Sequence, residues 1–116
     1  GLEPTFFYRR GYPPTVNHYW KIGNGRLYVS DDGRLYRRRV SAILVDAPEQ
    51  IGRLSVAVAV HPPDGRKRDI DNVLKCLLDA ITKAGVWQDD SQIDRLLVER
   101  CDVKPGGMVE VVIDAI

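Results

Sequence analysis

The segment Arg66-Lys67-Arg68-Asp69-Ile70-Asp71-Asn72-Val73-Leu74-Lys75 sets two carboxylates beside three cations, where an apolar helical repeat begins. A divalent cation bound to a phosphate needs both charges at one place: carboxylate oxygens hold the hard metal, and basic side chains hold the phosphate. Mg²⁺ takes one or two carboxylates and fills its octahedron with water and substrate oxygens. Asp69, Asp71 and one of the later pair Asp89-Asp90 would suffice. The pattern reads as a metal-dependent phosphodiesterase acting on nucleic acid.

Each of these residues also has an ordinary role. Carboxylates at a helix start are stabilised by free backbone N–H groups and by the helix dipole, which keeps them ionised and accounts readily for one aspartate. It does not account for two followed by Asp89-Asp90. Lys75 lies one turn after Asp71. As an i,i+4 ion pair it would contribute only about 0.3–0.5 kcal/mol; as a cation beside a metal it would offset charge building on the phosphorus. Arg66, Lys67 and Arg68 are candidate phosphate contacts, which position DNA without reading bases. A second basic cluster, Arg37 to Arg39, is left open between phosphate binding and a solvated surface. His18 and His61 lack a partner at zinc-ligand spacing and are assigned structural or surface roles.

The elements that must position these groups follow from periodicity. Thr5 to Tyr8 reads as a strand, broken by Gly11-Tyr12-Pro13-Pro14-Thr15. Pro13-Pro14 with Asn17 and Tyr19 is a candidate substrate-facing loop. Gly23-Asn24-Gly25 suggests a hairpin tip with Arg26 to Ser30 returning. Asp31 opens a helix to about Asp46, with Leu35, Tyr36, Val40, Ile43, Leu44 and Ala47 on its apolar face. Leu54, Val56, Val58 and Val60 alternate as a half-buried strand. Ile70, Val73, Leu74, Leu77, Leu78 and Ile81 mark a second helix stopped by Gly85. On that helix Asp71, Lys75 and Asp79 share one stripe. Ile93 to Val103 and Met108 to Ala115 read as two strands of a terminal hairpin around Lys104-Pro105-Gly106-Gly107. The expected fold is α+β, one small domain over residues 1–116, with two helices on a mixed sheet in the order β-β-α-β-α-β-β.

Composition is that of an ordinary globular chain of 116 residues, which argues against disorder. No apolar run reaches the roughly 18 residues of a membrane span, and no signal-peptide pattern opens the sequence. Gly1 to Pro4 reads as a trimmed or appended terminus and carries no weight. Cys76 and Cys101 lack metal-ligand spacing and fit packing roles in a reducing, cytosolic setting. The net charge of +1 hides an asymmetry: residues 1–68 hold 12 Lys/Arg against 6 Asp/Glu, residues 69–116 hold 5 against 10. A polyanion-binding face joined to a metal-collecting site would produce this, as would scattered surface charge.

Arg66 to Lys75, then Leu78-Asp79-Ala80-Ile81-Thr82-Lys83-Ala84-Gly85-Val86-Trp87-Gln88-Asp89-Asp90, the Pro13-Pro14-x-x-Asn17 segment and the late Gly-Gly pair together resemble the RusA family of Holliday junction resolvases. The similarity spans most of the chain, and its central stretch is long and unusual in composition. Phe7-Tyr8-Arg9-Arg10 departs from the family pattern, where a more apolar strand end is expected. The resemblance implies a homodimeric, Mg²⁺-dependent endodeoxyribonuclease (Mn²⁺ substituting) that nicks four-way DNA junctions in symmetric pairs during recombination and repair. It further implies a bacterial cytoplasm or nucleoid, no membrane partner and no small-molecule cofactor. By the same resemblance Asp69, Asp71 and Asp90 would hold the metal and Lys75 would be the catalytic lysine. Adjacency to these aspartates makes Arg66, Lys67 and Arg68 candidate DNA contacts, and Asn72 either a support for the ligands, a phosphate contact or ordinary helix surface. The competing readings are a less selective nuclease of branched DNA and a junction-binding architectural protein without catalysis.

Overall fold

The structure, a computed structural model, describes residues 6–10, 12–14 and 16–116. The chain runs through β1 (Phe6–Arg10), a single-turn helix α1 (Val16–Tyr19), β2 (Trp20–Gly23), β3 (Arg26–Val29), α2 (Asp31–Ile43) and β4 (Leu54–His61). A 3₁₀ turn (Ile70–Val73) leads directly into α3 (Leu74–Lys83); a second 3₁₀ turn (Asp90–Gln92) precedes β5 (Ile93–Arg100), and β6 (Met108–Ala115) ends the chain. The architecture is α+β, as the sequence implies, with α1 and β2 added to the expected order.

The four-stranded sheet has the order β1-β6-β4-β5. β4 pairs parallel to β5 and antiparallel to β6. The expected terminal hairpin is therefore wrong: β5 and β6 are sequence neighbours separated by β4. The reason is burial. Every second residue of β4 and β6 is apolar and buried, so both belong at the centre, whereas β5 is largely exposed and suits an edge. β5 also stops at Arg100, short of Val103; past it, Cys101 N–H completes the ladder on the Val60 carbonyl and Lys104 N–H bonds that of Pro62. The short β2–β3 ladder forms the predicted hairpin, with Asn24 (φ 51°) and Gly25 (φ 71°) making its tip.

One sheet face carries the core. Val56, Val58, Val60, Val109, Val111 and Ile113 meet Cys76, Leu77, Ala80 and Ile81 of α3 and Tyr36, Val40 and Leu44 near α2. Helix α2 is shorter than its apolar pattern suggests: Leu44 caps it, and residues 44–46 form a turn. Leu35 and Ile43 are left exposed on the edge of its apolar stripe. Helix α3 also starts later than expected, at Leu74, behind the 3₁₀ turn. At its far end Gly85 (φ 82°) donates to the Thr82 carbonyl and Val86 N–H to that of Ile81, a Schellman stop. Val86 and Trp87 then plunge into the core, and the Trp87 indole donates to Thr82 Oγ1 at 2.6 Å.

Candidate active site

The predicted carboxylates stand on two separate connections that each meet α3, the β4–α3 loop and the α3–β5 loop. Asp69 has extended backbone and opens the first 3₁₀ turn, with its carbonyl accepting from Asn72 N–H at 3.2 Å. Its side chain makes no capping hydrogen bond, so the ordinary helix-cap role is not the one it plays. Asp71 follows within the turn, exposed, and Asn72 is half-buried beside it. Among the described residues neither Asp69 nor Asp71 offers its carboxylate to a protein donor.

The second 3₁₀ turn packs against α3 and carries the Asp89-Asp90 pair. The structure separates these two residues. Asp89 caps the turn: its carboxylate accepts from Ser91 N–H at 3.0 Å, and Gln92 Oε1 accepts from Asp89 N–H at 3.1 Å. The bond from Ser91 N–H leads in holding the Asp89 carboxyl below its usual range. Asp90 behaves oppositely. Although exposed, its carboxyl is partly desolvated, with Asp89 and Asp79 adding repulsion, and its pKa is raised against the pull of Lys75. Asp90 therefore shares an electrostatic neighbourhood with Lys75 and Asp79. The loop is fixed by Gln92, whose amide donates to the Gln50 and Gly52 carbonyls at 3.1 and 2.9 Å.

Lys75 is exposed and forms no ion pair among the described residues, so the i,i+4 pairing its spacing allows is not made. Its stripe neighbour Asp79 is taken from elsewhere. Asp79 Oδ2 accepts from Arg37 Nη2 at 2.7 Å, from Arg37 Nε at 2.9 Å and from the Tyr19 hydroxyl. The Arg37 guanidinium also lies 5.6 Å from the Tyr19 ring centroid and 5.9 Å from that of Trp20. Burial first, then the bond to Asp79, pushes the Tyr19 hydroxyl up. Tyr19 is fully buried and is no substrate-facing residue; Ser30 N–H holds its carbonyl at 2.8 Å. This three-residue tie between α1, α2 and α3 escaped the sequence reading. Nothing local in the sequence signals it, because Asp79's partners lie 60 and 42 positions away in the chain. Of the Arg37–Arg39 cluster, Arg37 is thus a structural partner, while Arg38 and Arg39 are exposed.

The basic run divides similarly. Arg68 Nη1 donates to the Asp64 carboxylate at 2.7 Å and to the Asp64 carbonyl at 3.1 Å. Asp64 also accepts from Arg66 N–H at 2.9 Å. The Arg68 bond leads these in lowering Asp64 to about 2. The Arg66 side chain and Lys67 project into solvent. Pairing aside, Arg68 Nε and Nη2 have no protein acceptor among the described residues.

Chemically, these oxygens suit a hard cation that keeps much of its water. They are not drawn into a closed cage: among the described residues no three acidic, histidine or cysteine side chains gather closely enough to hold an ion. His61 stands apart on the sheet, its Nδ1 2.9 Å from the Asp102 carbonyl and its Nε2 3.4 Å from Glu110. Cys76 is buried, and desolvation pushes its thiol up to about 12, which leaves it inert.

The sequence of this arrangement matches the family model of endodeoxyribonuclease RusA over residues 11–114. The chain belongs to the RusA endodeoxyribonuclease family. Relatives in that family include the crossover junction endodeoxyribonuclease RusA of Escherichia coli (strain K12), 39% identical over 105 residues covering 88% of each chain. The namesake proteins of Enterobacteria phage 82 and phage HK97 are 36% and 41% identical, covering 94% and 83% of this chain and 93% and 82% of their own. As a RusA family member the chain is an endodeoxyribonuclease, and among its described residues no helix is long and apolar enough to cross a membrane.

Proposed function

We propose that this RusA family enzyme resolves four-way DNA junctions by paired symmetric nicks, as a Mg²⁺-dependent homodimer serving recombination and repair in the bacterial cytoplasm. The observation that carries the reading is the contrast around α3: among the described residues, Asp69 and Asp71 keep their carboxylates unbound by protein and Lys75 forms no ion pair. Relatives named crossover junction endodeoxyribonuclease supply the substrate class. Asp69, Asp71 and Asp90 would hold the divalent ion, Mg²⁺ or Mn²⁺. When bound, such an ion polarises a phosphate and lowers the pKa of a coordinated water.

The chain's own residues do the rest. Lys75, exposed on α3 and within electrostatic reach of Asp90, offsets negative charge as the phosphorus gains its fifth oxygen. Lys67, projecting into solvent, and Arg66 and Arg68, both ion-paired to Asp64, neutralise backbone phosphates and place the strand. Asn72, half-buried next to Asp71, is a contact for phosphate or for an aspartate oxygen. One such site cuts one strand; two strands of opposite polarity need two copies, which is why a homodimer fits the reaction.

The test is cleavage of a synthetic four-way junction by purified protein in Mg²⁺ or in EDTA, with nicks mapped on every strand and mass measured by light scattering. Symmetric nicks in Mg²⁺ alone, from a dimer, are expected. Binding without nicks would replace the proposal with an architectural role, and equal cutting of flaps and junctions with a less selective nuclease.

A further inference from the structure

Beside Asp69 lies a cavity of about 240 Å³ that the metal chemistry does not use. Its floor is apolar, with Val60, Pro62 and Val103 among its walls, and Tyr12 closes one side. Its charged lining is four cations, Arg66, Lys67, Arg68 and Arg100, against two carboxylates, Asp64 and Asp69. Asp64 is already engaged by Arg68 and by the Arg66 amide, so the electrostatic balance facing the opening is positive.

Tyr12 is seated there by a feature the catalytic reading leaves unexplained, the Gly106-Gly107 pair. Gly107 has φ +74°, and a Cβ at that position would come within 2.5 Å of Tyr12 Cβ and 2.8 Å of its Cγ. The glycine thus supplies both the backbone bend and the space for the tyrosine to lie against it. Arg100 is fixed as well: its Nη2 donates to the Arg68 carbonyl, joining the end of β5 to the basic loop. Aromatic wall, apolar floor and cationic rim are therefore held by the last turn of the chain, the sheet edge and the loop that carries Asp69.

We infer that this cavity is a nucleotide subsite, taking one unstacked base of the cut strand against Tyr12 while Arg68 and Arg100 hold the adjoining phosphate. A phosphate alone would leave the apolar floor and the ring unused, and a hydrocarbon ligand would leave the cations unused. The volume falls below the roughly 300 Å³ at which drug-sized pockets begin and admits one flat heterocycle. Stacking on an aromatic side chain is tolerant of base identity, and unpaired bases at a branch cost least to extrude. The subsite rests on the proposed DNA substrate and adds to it a place for a base, next to a proposed metal ligand.

The experiment uses four-way junctions carrying 5-iodouracil at single positions on either side of the mapped nick, bound in EDTA so that the strand stays whole. Irradiation should join one position to the peptide containing Tyr12, identified by mass spectrometry. Tyr12→Ala should lose that adduct and about tenfold in junction affinity, with Tyr12→Phe restoring the affinity. Val103→Trp, at a half-exposed wall, should abolish the adduct by filling the cavity while Tyr12 is still present. Adducts only elsewhere, or none, from protein that nicks the junction normally in Mg²⁺ would overturn the subsite alone. Protein that neither binds nor nicks junctions would overturn the proposed function, and the subsite with it.

Discussion

Two aspartates of one stripe, eight residues apart along α3 and the turn before it, meet opposite fates. Asp79 receives three donors from Tyr19 and Arg37 on a single oxygen, in a half-buried setting bridging three helices. Asp71 receives none among the described residues and stands in solvent. A carboxylate taken out of water must be paired or its charge is costly, so the fold completes Asp79. A carboxylate left in water pays no such penalty, and its oxygens stay available to an outside cation. The difference teaches that a charge on this helix is assigned to structure or to chemistry by whether protein donors reach it. Its residue type does not decide.

The sharpest way to break this contrast is to neutralise each aspartate in turn. Asp71→Asn should reduce junction nicking by at least about a hundredfold, the range for deleting one charge-stabilising group, with junction binding and thermal midpoint retained. Unchanged nicking would remove Asp71 from the proposed metal site. Asp79→Ala should do the reverse. It strands Arg37 without its carboxylate and should cost about 2 kcal/mol in urea unfolding, discounted from fully buried pairs because both side chains are partly exposed. Nicking per folded molecule should hold within a few-fold. A stable Asp79→Ala protein would show that the tie is dispensable.

A smaller effect sharpens the comparison at the basic loop, where Asp64 is half-exposed yet engaged. Its pKa is lowered to about 2 from 3.8, so the unfolded chain binds this proton more readily than the folded one. The contribution is complete above the unfolded value and is lost as pH falls through about 2. The difference in thermal midpoint between wild type and Asp64→Asn should therefore be constant near neutrality and shrink between about pH 4 and pH 2. A difference that grows with acid would mean that the Arg68 pairing does not set this group.

Much of this could be read from the chain. The period-two alternation of Leu54 to Val60 and the helical repeat from Ile70 to Ile81 are local signals that burial enforces; the strand stands where expected, and the helix does so from Leu74 onward, behind a 3₁₀ turn. The Asp-x-Asp segment and Lys75 were legible because short spacing fixes their neighbourhood. Strand order was not legible, since a short loop between β5 and β6 suggests a hairpin and only competition for the buried centre sends β6 to the other side of β4.

Sequence by itself thus determined the local elements, the family motif and the candidate ligands, because each depends on residues within a few positions of one another. Tertiary structure alone decided that Arg37 would leave its basic cluster for Asp79 and that Gly107 would seat Tyr12 beside Arg68. Those outcomes join residues 42 to 95 positions apart. Periodicity carries no record of either, because only packing of the whole chain brings the partners within hydrogen-bonding reach.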